Sequence, residues 1–374
     1  MASVSKKTTR NGEPRYVVRY RDPQGRNREK WFRRKIDADR YSVTAEADKL
    51  RGAWIDPHRS RMKLADWAEE WLTTKAHRKP KTVAGYSSLL RNHVIPRFGH
   101  RELGQIRTSA INAWLGDLQQ RGLSPSRIGQ AYQVLNASLD AALEDDRLAK
   151  NPAKAARRNL PSIEGREMLF LTDDQVQALA HTIGQPWQPL IFTLAYAGLR
   201  WGEAAALRRG RCQLLQNKLH IAESLAEIGG DLHWGPPKSK KSVRWVNIPK
   251  FLVEMLAEHL YRETEDDPDA PVFTSPNGSP LRHSNFYSRV WRPAVLNADV
   301  PDNLRIHDLR HTSAAFMISE GAGLLLVGQQ LGHSSVVVTQ RYAHLYPSAG
   351  EDLAARLDSR YRRSHGPGVG FARG

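Results

Sequence analysis

Arg200 closes the apolar run 190–199, and Glu203 follows one helical turn later. His307 and Arg310 stand three residues apart, a spacing that sets an imidazole and a guanidinium on one helix face. His333 follows Leu331-Gly332, and Tyr342 comes nine residues after it. A further segment, 236–244 (PPKSKKSVR), offers Lys238, Lys240 and Lys241. A charge in an apolar setting is costly unless it has a use. Guanidiniums are permanent cations with forked donors, suited to anionic oxygens, and a phenol is a nucleophile. Cutting a phosphodiester without a metal needs those two together with an acid for the departing oxygen. Alone, each feature is weak: an Arg beside a Glu is commonly a structural ion pair, and a lone His or Tyr is commonly packing. Their order along one chain is what chance seldom assembles. A metal reading is weaker, since His307, His311, His333 and His344 have no carboxylate or cysteine completing a usual ligand set, and Cys212 is the only cysteine. No metal and no cofactor is expected.

The segments Ala197-Gly198-Leu199-Arg200-Trp201-Gly202-Glu203, His307-Asp308-Leu309-Arg310-His311-Thr312, Leu331-Gly332-His333-Ser334-Ser335 and Thr339-Gln340-Arg341-Tyr342 resemble those of the tyrosine recombinases. More narrowly, the chain resembles phage-type integrases with an added N-terminal arm-binding module. The motifs cover the C-terminal part; over residues 1–164 the likeness rests on layout, with Tyr20-Arg21-Asp22-Pro23-Gln24-Gly25 the local match. The resemblance implies that Tyr342 attacks phosphorus and holds the DNA as a 3′-phosphotyrosine, retaining the ester energy so that strands rejoin without ATP. Arg200 and Arg310 then bind the non-bridging oxygens, His333 donates to the same phosphate, and His307 assists proton transfer at the tyrosine. The family's general acid is a lysine on a β-hairpin. Its pattern favours Lys238, with Lys240 and Lys241 as neighbours. Glu203 supports the site. His311 reads as a surface or packing residue, and Tyr346 fits the spacing less well than Tyr342.

The elements that must position these residues fall into three parts. Residues 16–20 and 28–32 read as a basic hairpin around the turn 22–25, followed by a helix over 36–50 with Asp37 as N-cap and Gly52 as stop. Residues 57–63 read as a linker. Apolar stripes at helical spacing follow: Leu64, Trp67, Trp71; Tyr86, Leu89; Ile111, Trp114, Leu118; Ile128, Tyr132, Leu135, Leu139, Leu143. Residues 154–164 read as a second linker. Beyond it, helices are expected over 172–181, 189–208 and 249–262, with strands over 214–222 and 243–248. The expected fold is therefore α+β multidomain: a small N-terminal β-sheet plus helix module (1–57, arm-type DNA binding), an all-α SAM-like core-binding domain (62–158), a mainly α catalytic domain with a small β-sheet (165–363), and a tail (364–374).

The net charge of +17 excludes a partner that seeks acidic surfaces, and 40% hydrophobic residues exclude disorder throughout. Residues 1–60 hold 16 basic and 8 acidic side chains and residues 61–164 hold 17 and 10, against 23 and 21 in the rest. A polyanion gripped by the N-terminal half is the natural partner. The expected partners are double-stranded DNA at core and arm-type sites, a homotetramer on that DNA, and from the family a host DNA-bending factor and an excision factor. No signal segment or apolar span points to a membrane, so a bacterial cytoplasm is expected. The apolar run 323–330, with a mid-helix Gly328, or the tail from Ser364, is expected to help form the tetramer. Two rivals remain: a type IB topoisomerase, with the same Arg/His/Tyr chemistry, and a catalytically inactive DNA-binding regulator of the same fold. The expected N-terminal contacts are Arg26, Arg28, Lys30, Arg33 and Arg34, with Lys79, Lys81 and Arg127 at helix starts of the second module. Replacing the first five by alanine is predicted to weaken arm-site binding in a salt titration, the log–log slope flattening by about 0.9 for each phosphate no longer neutralised. Core half-site cleavage should stay near wild type; equal loss of both would overturn the modular reading.

Overall fold

The computed structural model describes all residues except 1, 10–11, 23–24, 51–58, 164, 166, 238–241, 334, 346–348 and 366–374. The chain divides into two compact units, Met1–Gly165 and Arg166–Gly374.

Within the first unit, strands β1 (Ser3–Thr8), β2 (Pro14–Arg21) and β3 (Asn27–Phe32) form an antiparallel sheet with β2 in the centre. The sequence reading had the hairpin and missed β1, whose lysines hide its β character. In register, Val18 faces Val4 on one side and Lys30 on the other. Helix α1 (Lys35–Leu50) covers the sheet through Ala38 and Tyr41, against Val18, Tyr20 and Phe32. It starts two residues ahead of Asp37, which therefore lies in the first turn and is not the N-cap. Gly52 lies outside the described residues.

A second core in the same unit is wholly helical, built by α2 (Leu64–Thr73), α3 (Pro80–Leu89), α4 (Ile95–Phe98), α5 (Thr108–Gln120), α6 (Pro125–Glu144) and α7 (Ala153–Ala156). The expected stripes bury Trp67, Trp71, Ile111, Trp114, Ile128 and Leu135, while Leu143 is exposed. Indole N–H groups of Trp67 and Trp114 donate to the carbonyls of Ser138 and His93, each at 2.9 Å, so these large rings are buried without an orphan donor. Between α3 and α4 the helix widens into a π-turn, Leu90–Val94. Pro96, just beyond, has no N–H to give and its ring crowds the preceding turn, which accounts for the bulge. The segment read as a linker from 154 is in part structured, since α7 buries Ala153 and Ala156 and a short turn, Arg157–Asn159, follows.

The second unit holds α8 (Asp173–Ile183), α9 (Gln188–Phe192), α10 (Trp201–Ala204), the strands β4 (Cys212–Gln213), β5 (Lys218–Ile221), β6 (Ser224–Ile228), β7 (Asp231–Gly235) and β8 (Arg244–Asn247), and α11 (Lys250–Glu263). After these come α12 (His283–Phe286), α13 (Arg292–Asn297), α14 (Asp308–Ser319), α15 (Leu324–Leu331), α16 (Val336–Gln340) and α17 (Ala349–His365). Strands β4, β5 and β8 make one antiparallel sheet, and β6 and β7 a separate hairpin leading towards residue 238. The largest correction is at 189–208, read as one helix. After α9 comes a π-turn, Thr193–Ala197, then a break at Gly198, and the chain restarts at α10. Gly198 has φ +66°, and a Cβ there would collide with the Leu331 and Ser313 side chains, so both its backbone and its neighbours favour glycine. The apolar run through 199 is therefore core, though not a continuous helix.

Candidate active site

The break at Gly198 places Arg200 at the N-cap of α10 in extended conformation. Glu203, at the third helical position, accepts from the Arg200 backbone N–H at 3.0 Å and from its Nη1 at 2.7 Å. One of the Glu203 oxygens also receives Nη2 of Arg244 at 3.0 Å. Arg244 sits on β8 with the same facing as Val246, towards the core, and is 9% exposed. Its remaining donors reach the carbonyls of Gln330 (2.8 Å) and Ser242 (3.0 Å). A cation on the core face of a strand demands such partners, and that alternation was the signal that sequence reasoning passed over.

Arg310 lies in the first turn of α14, 2% exposed. Its Nη1 donates to the Gly198 carbonyl at 2.5 Å and its Nη2 to that of Leu331. Arg200 Nη2 reaches the next carbonyl, Gly332, at 3.4 Å. The two guanidiniums thus meet consecutive carbonyls at the end of α15. Gly332 ends that helix with φ +67°, and a Cβ on it would press within 2.9 Å of the Arg244 side chain. Burial, then the charge of Arg200, lowers the Arg310 pKa to about 9, which leaves it cationic at neutral pH. Burial alone would raise the Glu203 pKa; Arg244, Arg200 and Arg310 outweigh it, and the net shift is downward.

His333 follows Gly332, and its Nδ1 is 2.9 Å from the Thr339 hydroxyl. Gly328 is glycine because a Cβ would meet that hydroxyl oxygen at 2.9 Å. The His333 ring lies nearly parallel to that of Tyr342, 6.4 Å between centroids. Burial, followed by Arg310 and Arg200, lowers the His333 pKa to about 3. Tyr342 is 2% exposed, and burial raises its pKa against the opposing pull of Arg310, Arg341 and Arg200. Its hydroxyl is 2.7 Å from Nδ1 of His311, the residue read from sequence as surface or packing. His307, at the N-cap of α14, meets His311 edge to face at 5.0 Å. The loop before it is held by Asp308, fully buried, which accepts from the backbone and guanidinium of Arg305 at 2.6–2.9 Å.

The structure so gathers Arg200, Glu203, His307, Arg310, His333 and Tyr342. Lys238, Lys240, Lys241 and Tyr346 lie outside the described residues. Among the described residues no cluster of His, Cys, Asp and Glu is fit to hold a metal, and no helix is long and apolar enough to cross a membrane. In the first unit, Arg26 and Arg28 both donate to the buried carboxylate of Asp22, at 3.0 and 3.1 Å, and Lys30 lies 4.2 Å over the Tyr41 ring. Arg33 and Arg34 are exposed before α1, and Lys81 and Arg127 sit in the first turns of α3 and α6. Lys79 precedes Pro80 at the start of α3.

Residues 169–349 match the model of the phage integrase family, and residues 63–119 that of the phage integrase N-terminal SAM-like domain. The chain belongs to the phage integrase family. It is 29% identical over 357 residues to a prophage phiRv2 integrase of Mycobacterium tuberculosis, 92% of each chain being covered. To the integrase of Mycobacterium phage L5 it is 25% identical over 374 residues, covering 94% of this chain and 96% of the other. Its fold is that of the tyrosine recombinases. The Tn1549 transposon integrase in complex with transposon right end DNA superposes with a TM-score of 0.67 at 20% identity, over 80% of this chain and 99% of that one. A lambda integrase tetramer bound to a Holliday junction gives 0.57 at 18%, over 90% and 94%. As a family member the protein is a tyrosine site-specific recombinase, an enzyme of DNA strand cleavage and religation.

Because Glu203 bonds the buried Arg244 as well as the partly exposed Arg200, Glu203→Gln is predicted to destabilise the protein by about 3–5 kcal/mol in urea unfolding at pH 7. A carboxylate with a depressed folded pKa stabilises above its unfolded pKa, near 4.3, and loses that contribution as pH falls through the lower folded value. The gap between variant and wild type should therefore close below about pH 4. Equal stabilities at pH 7 would contradict this account of the site.

Proposed function

We propose that Tyr342 is the nucleophile of a site-specific integrase and that Arg200, Arg310 and His333 bind the phosphate it attacks. The observation that carries this reading is the meeting of Arg200 and Arg310 on the carbonyls of Leu331 and Gly332, one residue from His333 and beside Tyr342. A phosphodiester entering there replaces carbonyl oxygens with anionic ones, to which guanidiniums donate more strongly. As Tyr342 Oη bonds to phosphorus the extra charge on the non-bridging oxygens falls between two fixed cations. The 5′-oxygen leaves with a proton, for which Lys238 is the assigned acid, and a 3′-phosphotyrosine remains. A free 5′-hydroxyl from the partner strand reverses the step. Glu203 holds Arg200 in place, and His307 assists proton transfer at the tyrosine.

On this reading residues 62–158 and 165–363 clamp the core site while 1–57 binds arm-type sites, so one protomer bridges two DNA segments at high effective concentration. The substrate is double-stranded DNA of a phage or mobile element, integrated and excised by a homotetramer, with a host bending factor and an excision factor as partners. Leu325 and Leu326 on α15 are 68% and 56% exposed, which offers an apolar surface for a neighbouring protomer. If the tail shares that role, deleting 364–374 lowers synapsis.

A nicked half-site DNA that traps the covalent intermediate is predicted to give a protein–DNA adduct with wild type and none with Tyr342→Phe. An adduct surviving in that variant would move the nucleophile elsewhere. Efficient relaxation of a supercoiled plasmid without attachment sites would favour a topoisomerase, and no adduct on any core DNA an inactive regulator.

A further inference from the structure

The phenolic proton of Tyr342 must go somewhere when its oxygen bonds to phosphorus. Three imidazoles lie in the neighbourhood, and their placements differ. His333 lies parallel to the Tyr342 ring with its Nδ1 turned to Thr339. His307 meets the ring of His311, four residues on along the same helix face. His311 is the imidazole at the hydroxyl, with Nδ1 2.7 Å from Oη; both side chains are buried, at 6% and 2% exposure.

We propose that His311 is a catalytic residue of strand cleavage, the acceptor of the Tyr342 proton; this rests on Tyr342 being the nucleophile. In the step, the Tyr342 O–H bond breaks and its proton passes to Nδ1, the Oη–P bond forms, and the P–O5′ bond breaks. The 5′-oxygen is protonated by a separate acid. In rejoining, His311 returns the proton to Oη as the tyrosine leaves phosphorus. Burial and the neighbouring His307 lower the His311 pKa to about 4, so the ring is neutral and free to accept at neutral pH. The nascent phenolate is steadied by Arg310, Arg341 and Arg200, the cations that already oppose its burial. His307, touching His311 from the N-terminus of α14, is then a relay or a positioning group and not the first acceptor.

The test is single-turnover adduct formation on half-site DNA carrying either oxygen or sulfur at the 5′ bridging position. A sulfur leaving group needs no acid, so it rescues defects on the leaving side and not those of the nucleophile. His311→Asn should lose roughly 10²–10⁴-fold on both substrates with core-DNA Kd unchanged. In His311→Ala, added imidazole should restore adduct formation in proportion to its concentration, which lost packing alone would not allow. Cleavage within threefold of wild type, a loss cured by sulfur, or no response to imidazole would each overturn the proposal. In the wild-type protein, which needs no variant to fold, ¹⁵N spectra should show Nδ1 of His311 unprotonated and Nε2 protonated; the reverse tautomer would overturn it. An adduct persisting in Tyr342→Phe would instead remove the nucleophile beneath it.

Discussion

The rest of the second unit depends on keeping guanidiniums together where water is scarce. Arg200, Arg244 and Arg310 act on one another through a largely apolar interior, and Glu203 is the carboxylate that two of them bond. Like charges so placed repel, and each also forfeits hydration. The compensation comes from Glu203 and from carbonyls at Gly198, Gln330, Leu331, Gly332 and Ser242. These are backbone groups left over where helices end or a strand begins. Irregular chain is thus what the site is made from.

That requirement explains why the unit is built of short pieces. A continuous helix over 189–208 would consume its own carbonyls and leave Arg310 with nothing at Gly198. The left-handed glycines at 198 and 332 end two helices and turn their last carbonyls inward. The same close approach ties the pieces to each other, since Gly198 abuts Leu331 and Gly332 abuts Arg244. The large aliphatic core behind them, from Leu179 through Ile191 to Leu309, supplies rigidity to parts that have little regular hydrogen bonding of their own.

Side chains with regular spacing were legible in the sequence. The stripes of the helical module, from Trp67 to Leu139, follow the 3.6-residue period and fill its core, with Leu143 as the exception. Arg200, Arg310 and His333 stood out in the sequence because the order Arg, His-x-x-Arg, Leu-Gly-His and Tyr along one chain is one that chance seldom assembles. What sequence reasoning missed depends on contacts between distant segments. The role of Arg244 arises only when β8 lies beside the end of α15, and that of His311 only when α14 meets Tyr342, 31 residues on. Strand β1 was missed for a different reason: alternating lysines and small polar residues carry a weak β signal until β2 offers them a partner.

The end of α15 has one further consequence. The carbonyls of Leu331 and Gly332 occupy donors of both guanidiniums, so the helix terminus serves as a resident counter-ion. A small free anion must displace these bonds and recovers little beyond what they already supply. A phosphodiester held along a whole duplex brings binding from many other contacts to the same exchange. If the phosphate enters here as proposed, these two main-chain oxygens would favour a phosphodiester held along a duplex over a small free phosphate.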